Sequence, residues 1–156
     1  MDWFNYYGLA ILVILIVPNI IFAIKHKSEL FAPPDNRILD FFEQVGRYGC
    51  FVTMIFNIPH TYHNFWFNYA LIAYLTVNGV LCLAYVACWI AFRKQNNLAK
   101  ALTLSILPSL IFIFSGIALA SALLLIFAVI FAPTHIYISY KNVNKEKTKE
   151  KKSQTN

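Results

Sequence analysis

A chain of 156 residues with 59% apolar and 17% aromatic side chains and a net charge of +6 exceeds the apolar share of about one half that soluble domains carry. An ordinary soluble domain is excluded, and at about 20 residues per crossing the length holds roughly five membrane helices and little else. The expected fold is all-α: a polytopic transmembrane bundle over residues 1–140, N-terminus outside and C-terminus cytoplasmic, with a Lys-rich tail at 141–156.

The first span, about 6–24, is preceded by MDWFNYYG, which has no Lys or Arg, and the basic cluster Lys25, His26, Lys27 follows the apolar run. That polarity is the reverse of a cleavable signal and describes an uncleaved span with its start outside. Pro18 removes a backbone donor and crowds the carbonyl of Ile14, so a kink is expected, with Asn19 placed to bond a freed carbonyl or a neighbouring helix. Pro33-Pro34-Asp35-Asn36 reads as a rigid turn, with Asp35 or Asn36 as the cap of the next helix.

The second span, 38–58, carries strong charges inside a run otherwise fit for lipid. Wound as a helix, Asp40, Glu43, Arg47, Cys50, Met54 and Asn57 form one stripe, because steps of three and four residues return to the same face. Gly46, Gly49 and Thr53 lie beside it, while Ile38, Phe41, Val45, Tyr48, Val52, Ile55 and Phe56 fill the other side. The loop PHTYHN leads to Phe65-Trp66-Phe67, an aromatic group of the kind that settles at headgroup level. The third span, 66–92, places Asn68 and Asn78 on nearly one face, expected to look inward. The fourth, 98–114, has Pro108 at its middle with Ser105 and Ser109 beside it to satisfy a freed carbonyl. Ser115-Gly116 is the expected break before the last span, 117–138, so these two helices must form a tight hairpin. The tail sets six Lys against Glu146 and Glu150 with almost nothing apolar after Val143; disorder is expected, with attraction to anionic lipid headgroups worth about 1 kcal/mol per Lys near the surface. Cys50, Cys82 and Cys88 fall within apolar segments without C-x-x-C spacing and read as buried small residues.

With five crossings, the outer loops contain no Lys or Arg, and every basic residue except Arg47 falls on the inner side, which is the positive-inside bias. If the second helix lay along the surface instead, Arg93, Lys94 and Lys100 would move outside and the bias would be lost. Arg47 then sits about 14 Å along the axis from Ile38, near the middle of a core about 30 Å thick. A charge at that depth requires protein or water and a counter-charge. Glu43, one turn nearer the cytoplasm, stands in the favoured acid-before-base order, and Asp40 and Gln44 extend the patch.

The candidate ligand-binding set is therefore Glu43, Arg47, Asn57, Asp40, Gln44, Asn19 and Asn78. His135, at the inner end of the last span, is placed to approach Asp40 or Glu43. His60 and His63 are weak metal candidates, since a site would need further ligands from adjacent loops. No motif calls for a cofactor, and no nucleic-acid module is present. Catalytic residues are not indicated. The runs EQVGRYGCF and MIFNIP resemble segments of small multipass membrane proteins of low-GC Gram-positive bacteria, and the resemblance extends from VPNIIFAIK to LPSLIFIFSG; it implies a bacterial cytoplasmic membrane and no activity. Abundant Ile, Phe, Asn, Lys and Tyr, with their AT-rich codons, point the same way. The leading functional expectation is a small transport or transport-accessory subunit. Its rivals are a membrane-embedded enzyme acting on a lipid or lipid-linked substrate, and a non-catalytic partner in a larger complex or homo-oligomer.

Overall fold

The computed structural model describes residues 3–25, 36–63, 65–92 and 98–154. The turn expected at Pro33-Pro34-Asp35 and most of the Arg93–Lys100 loop lie outside them. Five helices follow in order: α1 Tyr6–Lys25, α2 Arg37–Ile55, α3 Ala70–Ala91, α4 Leu98–Ala118 and α5 Ala122–Gln154. Three of these, Ala70–Ala91, Leu98–Ala118 and α5 as far as Lys145, are long and apolar enough to cross a membrane by length and composition. α2 carries the charges of Arg37, Asp40, Glu43 and Arg47, and the apolar stretch of α1, Tyr6–Ile21, is shorter.

The helices run antiparallel in sequence order. At one end the chain preceding α1 meets the end of α2: Asn5 N donates to Ile55 O at 2.7 Å and Asn57 N to Trp3 O at 2.9 Å. There too the loop after α2 reaches the α4–α5 turn, with Ala122 N bonded to Thr61 O at 2.9 Å and Trp66 Nε1 to Ile117 O at 2.9 Å. α5 packs against α2 and α4, α3 against α4 and α1, and α1 against α2. Buried Leu12, Met54, Tyr74, Phe112, Leu124 and Phe131 join all five into one core.

Glycines set how closely two of these pairs approach. A Cβ at Gly8 would lie 2.1 Å from Met54 O, and one at Gly46 would lie 2.8 Å from Phe131 N. α2 therefore lies directly on the backbone of α5. Its outward face is large and apolar, with Ile38 68% and Phe41 64% exposed, whereas Glu43 is 4% exposed; this is the inverse of a helix on a soluble protein.

Several boundaries differ from expectation. α2 is capped by Asn36, whose side chain accepts from Ile38 N at 3.1 Å, but it ends at Ile55, because Phe56 turns extended to pair with Phe4. Residues 66–69 precede α3, and Tyr69 sits in the left-handed region at φ 71. Ser115-Gly116 does not break the chain. α4 continues to Ala118 and closes in a Schellman turn, with Ala120 N bonded to Ile117 O at 3.1 Å and Ser121 N to Gly116 O at 2.9 Å. The left-handed position of that turn, normally glycine, is Ala120 at φ 45. The tail, expected to be disordered, continues α5 as helix to Gln154: Lys, Glu and Gln are good helix formers, and no Gly or Pro follows Pro133. The serines beside Pro108 do not cap the carbonyl it frees, that of Leu104; Ser109 Oγ donates to Ser105 O at 2.8 Å and Ser105 Oγ to Leu102 O at 3.0 Å.

Candidate functional site: a carboxylate shared by two helices

Glu43 occurs on the inward stripe of α2 one turn before Arg47 and less than one turn before Gly46. The close α2–α5 approach at Gly46 and Phe131 brings the next turn of α5 beside it, and that turn carries His135. Glu43 Oε1 accepts from the Arg47 guanidinium within its own helix and lies 3.0 Å from His135 Nδ1. An ionised carboxylate only accepts hydrogen bonds, so Nδ1 of His135 carries the proton and donates, leaving Nε2 as the ring's other position. The imidazole stacks on Phe131, centroids 4.6 Å apart and planes 19° from parallel, which fixes its plane.

The three groups differ in exposure. The Glu43 side chain is 5% exposed, His135 22% and Arg47 35%. The carboxylate is thus the buried hub, and the guanidinium, with five donors, keeps part of its surface open. On the α3 side Tyr85 is buried and meets Trp89 edge-on, ring centroids 6.5 Å apart. Asn19 Nδ2 donates to Leu15 O at 3.0 Å, bonding its own helix.

The candidate residues read from the sequence therefore separate into two places. Glu43 and Arg47 form this centre, while Asn19 bonds its own helix. Asp40 is half-buried one turn below Glu43, and Gln44 is exposed. Asn57 lies past the end of α2, at the opposite end of the bundle, where its backbone pairs with Trp3. Asn78 is fully buried and bonds Ser115 through Nδ2–Oγ at 3.1 Å, away from the charges; Asn68 is exposed and precedes α3. His60 and His63 are exposed in the loop after α2, and among the described residues no three His, Cys, Asp or Glu come together as a metal-binding group. Sequence reasoning missed Tyr85 and Trp89. Their signal was present in the spacing: Tyr74, Asn78, Tyr85 and Trp89 recur on one face of α3 in steps of four, seven and four.

Chemically, an acidic hub shared by a guanidinium and an imidazole can bind an anionic or polar group at the open side of the Arg, or relay a proton through the His. Scanning against family models gave no match, and neither curated proteins nor solved structures contain one similar to this chain.

Proposed function

We propose that the chain crosses the bacterial cytoplasmic membrane five times, N-terminus outside and C-terminus inside, and that its Glu43–Arg47–His135 centre is the ligand-handling site of a small transport or transport-accessory subunit. Crossing by α2 is supported by its inverted polarity, charges inward and Ile38, Phe41 and Tyr48 outward, which suits lipid on the outer face. The antiparallel order and the absence of Lys and Arg from the loops at the Asn5–Asn57 end support the orientation. The single observation that carries the functional reading is that Glu43 is buried and doubly engaged while Arg47 remains 35% exposed: a purely structural pair would close over its cation as well.

Two experiments test this. In a cysteine-less background, His60→Cys should react with an impermeant thiol reagent from outside and Lys94→Cys should not; the opposite pattern refutes the topology. For the site, the double replacement Glu43→Leu with Arg47→Met is compared with the native chain for membrane abundance and for rescue of a deletion strain grown on defined solutes. Normal abundance with failed rescue supports a working site, and full rescue shows the pair to be structural only.

A second reading has one specific observation in its favour. The Glu43–His135 hydrogen bond orients an imidazole by a carboxylate, the arrangement of a general base, which suits an embedded enzyme acting on a lipid-linked substrate. In that case His135→Gln should abolish rescue at normal abundance, and the defect should appear in extracted lipids rather than in solute requirement.

A further inference from the structure

The three side chains of the polar centre also determine what kind of charge it can admit. Oε1 of Glu43 takes both the Arg47 guanidinium and Nδ1 of His135, the latter at 3.0 Å, so the two donors lie within two hydrogen-bond lengths, about 6 Å, of each other. Among the described residues, Nε2 of His135 and the remaining N–H groups of Arg47 have no hydrogen-bond partner, and none of these atoms is buried unpaired. Both belong to partly exposed side chains and keep an open polar side. α5 packs against α2 and α4. On α2 the charges at this level are Glu43 and Arg47, with Asp40 and Arg37, of opposite sign, nearer the start of the helix. α4 carries one ionisable side chain, Lys100, whose Nζ stands 5.9 Å over the Trp89 ring, and α5 itself has no Lys, Arg, Asp or Glu before Lys141. Glu43 therefore balances Arg47, and with an uncharged imidazole the centre is neutral.

We infer that the centre takes up a small monocarboxylate together with one proton, the carboxylate on the open N–H groups of Arg47 and the proton on Nε2 of His135. This deepens the reading of the centre as a ligand-handling site and rests on it. The planar guanidinium matches a carboxylate with paired N–H donors. A monoanion alone would leave a neutral centre with one unbalanced negative charge among apolar helices, where such a charge is expensive. One proton restores neutrality, and His135 is placed to take it: Nε2 has a lone pair, while Nδ1–H stays on Glu43, whose carboxylate stabilises the imidazolium that forms. The proton comes from solution, only the Nε2–H bond is made, and no bond of the ligand breaks. The coupling runs through charge balance, so the ligand need not touch the imidazole. A dianion would still leave one negative charge uncompensated, which sets phosphate apart.

The test is calorimetric titration of the full chain in lipid nanodiscs with acetate, pyruvate or benzoate, in two buffers of different ionisation enthalpy, at about pH 7.5 to 8.5, where an ordinary imidazole is neutral. Comparing the two buffers counts the protons bound with the anion. At least one of these carboxylates should bind with uptake of about half a proton or more, and its Kd should rise severalfold to about tenfold per pH unit, the slope that one linked proton imposes. In His135→Gln, which can still donate an amide N–H to Glu43 but has no site for a proton, uptake should vanish and the slope flatten. Binding without uptake overturns the proposal while leaving a ligand-handling site, as does an unchanged slope in His135→Gln. Inorganic phosphate binding as tightly as every carboxylate overturns the ligand class. If no carboxylate binds the native chain the proposal fails, and rescue by Glu43→Leu with Arg47→Met then decides separately on the ligand-handling reading. Should His135→Gln fail to fold, proton uptake and slope in the native chain decide alone.

Discussion

Replacing Gly46 with alanine is expected to pry α2 from α5 and open the polar centre with them. The added methyl would stand 2.8 Å from Phe131 N and 2.9 Å from Phe131 Cα, backbone atoms that cannot rotate away. Comfortable carbon contacts lie at about 3.5–4.0 Å, so the helices must separate locally by roughly 0.6–1 Å. Glu43 is less than one turn from Gly46 and His135 one turn from Phe131, so that displacement stretches the 3.0 Å His135–Glu43 contact beyond hydrogen-bonding range, about 3.5 Å. Overpacking costs about 1–3 kcal/mol, and a hydrogen bond to a charged group about 1.5–3 kcal/mol more. At roughly 2–4 °C per kcal/mol for a chain of this size, the loss in thermal midpoint is on the order of 10 °C. The comparator is Gly79→Ala, where an added Cβ has nothing within 4 Å; helix propensity alone should leave that variant neutral or up to about 1 kcal/mol more stable. Both are measured by thermal unfolding of purified protein in one detergent. If Gly46→Ala is as stable as Gly79→Ala, the close α2–α5 approach described above is wrong.

Three further outcomes follow from the same geometry. Glu43→Leu alone strands the Arg47 guanidinium and should destabilise by about 3 kcal/mol, whereas adding Arg47→Met should recover most of the loss; a denaturation cycle on the four proteins reads the coupling, and strictly additive effects would contradict the pairing. Ala120→Gly should stabilise by about 0.5–1 kcal/mol, since relief of the left-handed conformation outweighs the entropy of the added glycine; a lowered midpoint would show that the turn is not built as described. Asn78→Leu should cost about 1 kcal/mol, the size of an interhelical hydrogen bond in a membrane bundle, and less in a Ser115→Ala background, which a second cycle measures.

The helices were legible in the sequence because long apolar runs separated by charge and proline leave few alternatives, and the Glu43–Arg47 pair was legible because residues four apart on one helix must meet. What escaped was whatever depends on two distant segments. His135 is 92 residues from Glu43; the sequence placed it level with Asp40 or Glu43, but its choice of Glu43 is made by Gly46 resting on Phe131. Asn57 and Asn78 share the polarity of the site residues, and only the turn at Phe56 and the position of Ser115 send them elsewhere. The α4–α5 boundary was misjudged for a different reason: Ser115-Gly116 is a breaker by residue type, yet Ser115 is engaged with Asn78, and Gly116 lies against Leu125, where a Cβ would come within 2.8 Å of the side chain.

The length of α5 bears on what the cationic end of the protein can touch. Its 33 residues extend about 50 Å at 1.5 Å per residue, and a hydrocarbon core takes up about 30 Å of that. Roughly 20 Å of α5 is therefore left over beyond an apolar run of that depth. Lys141 and Lys145 stand at the foot of that extension, farther from its far end at Gln154 than the roughly 8 Å over which charges are screened at physiological ionic strength, so the two ends of the overhang act on their surroundings independently.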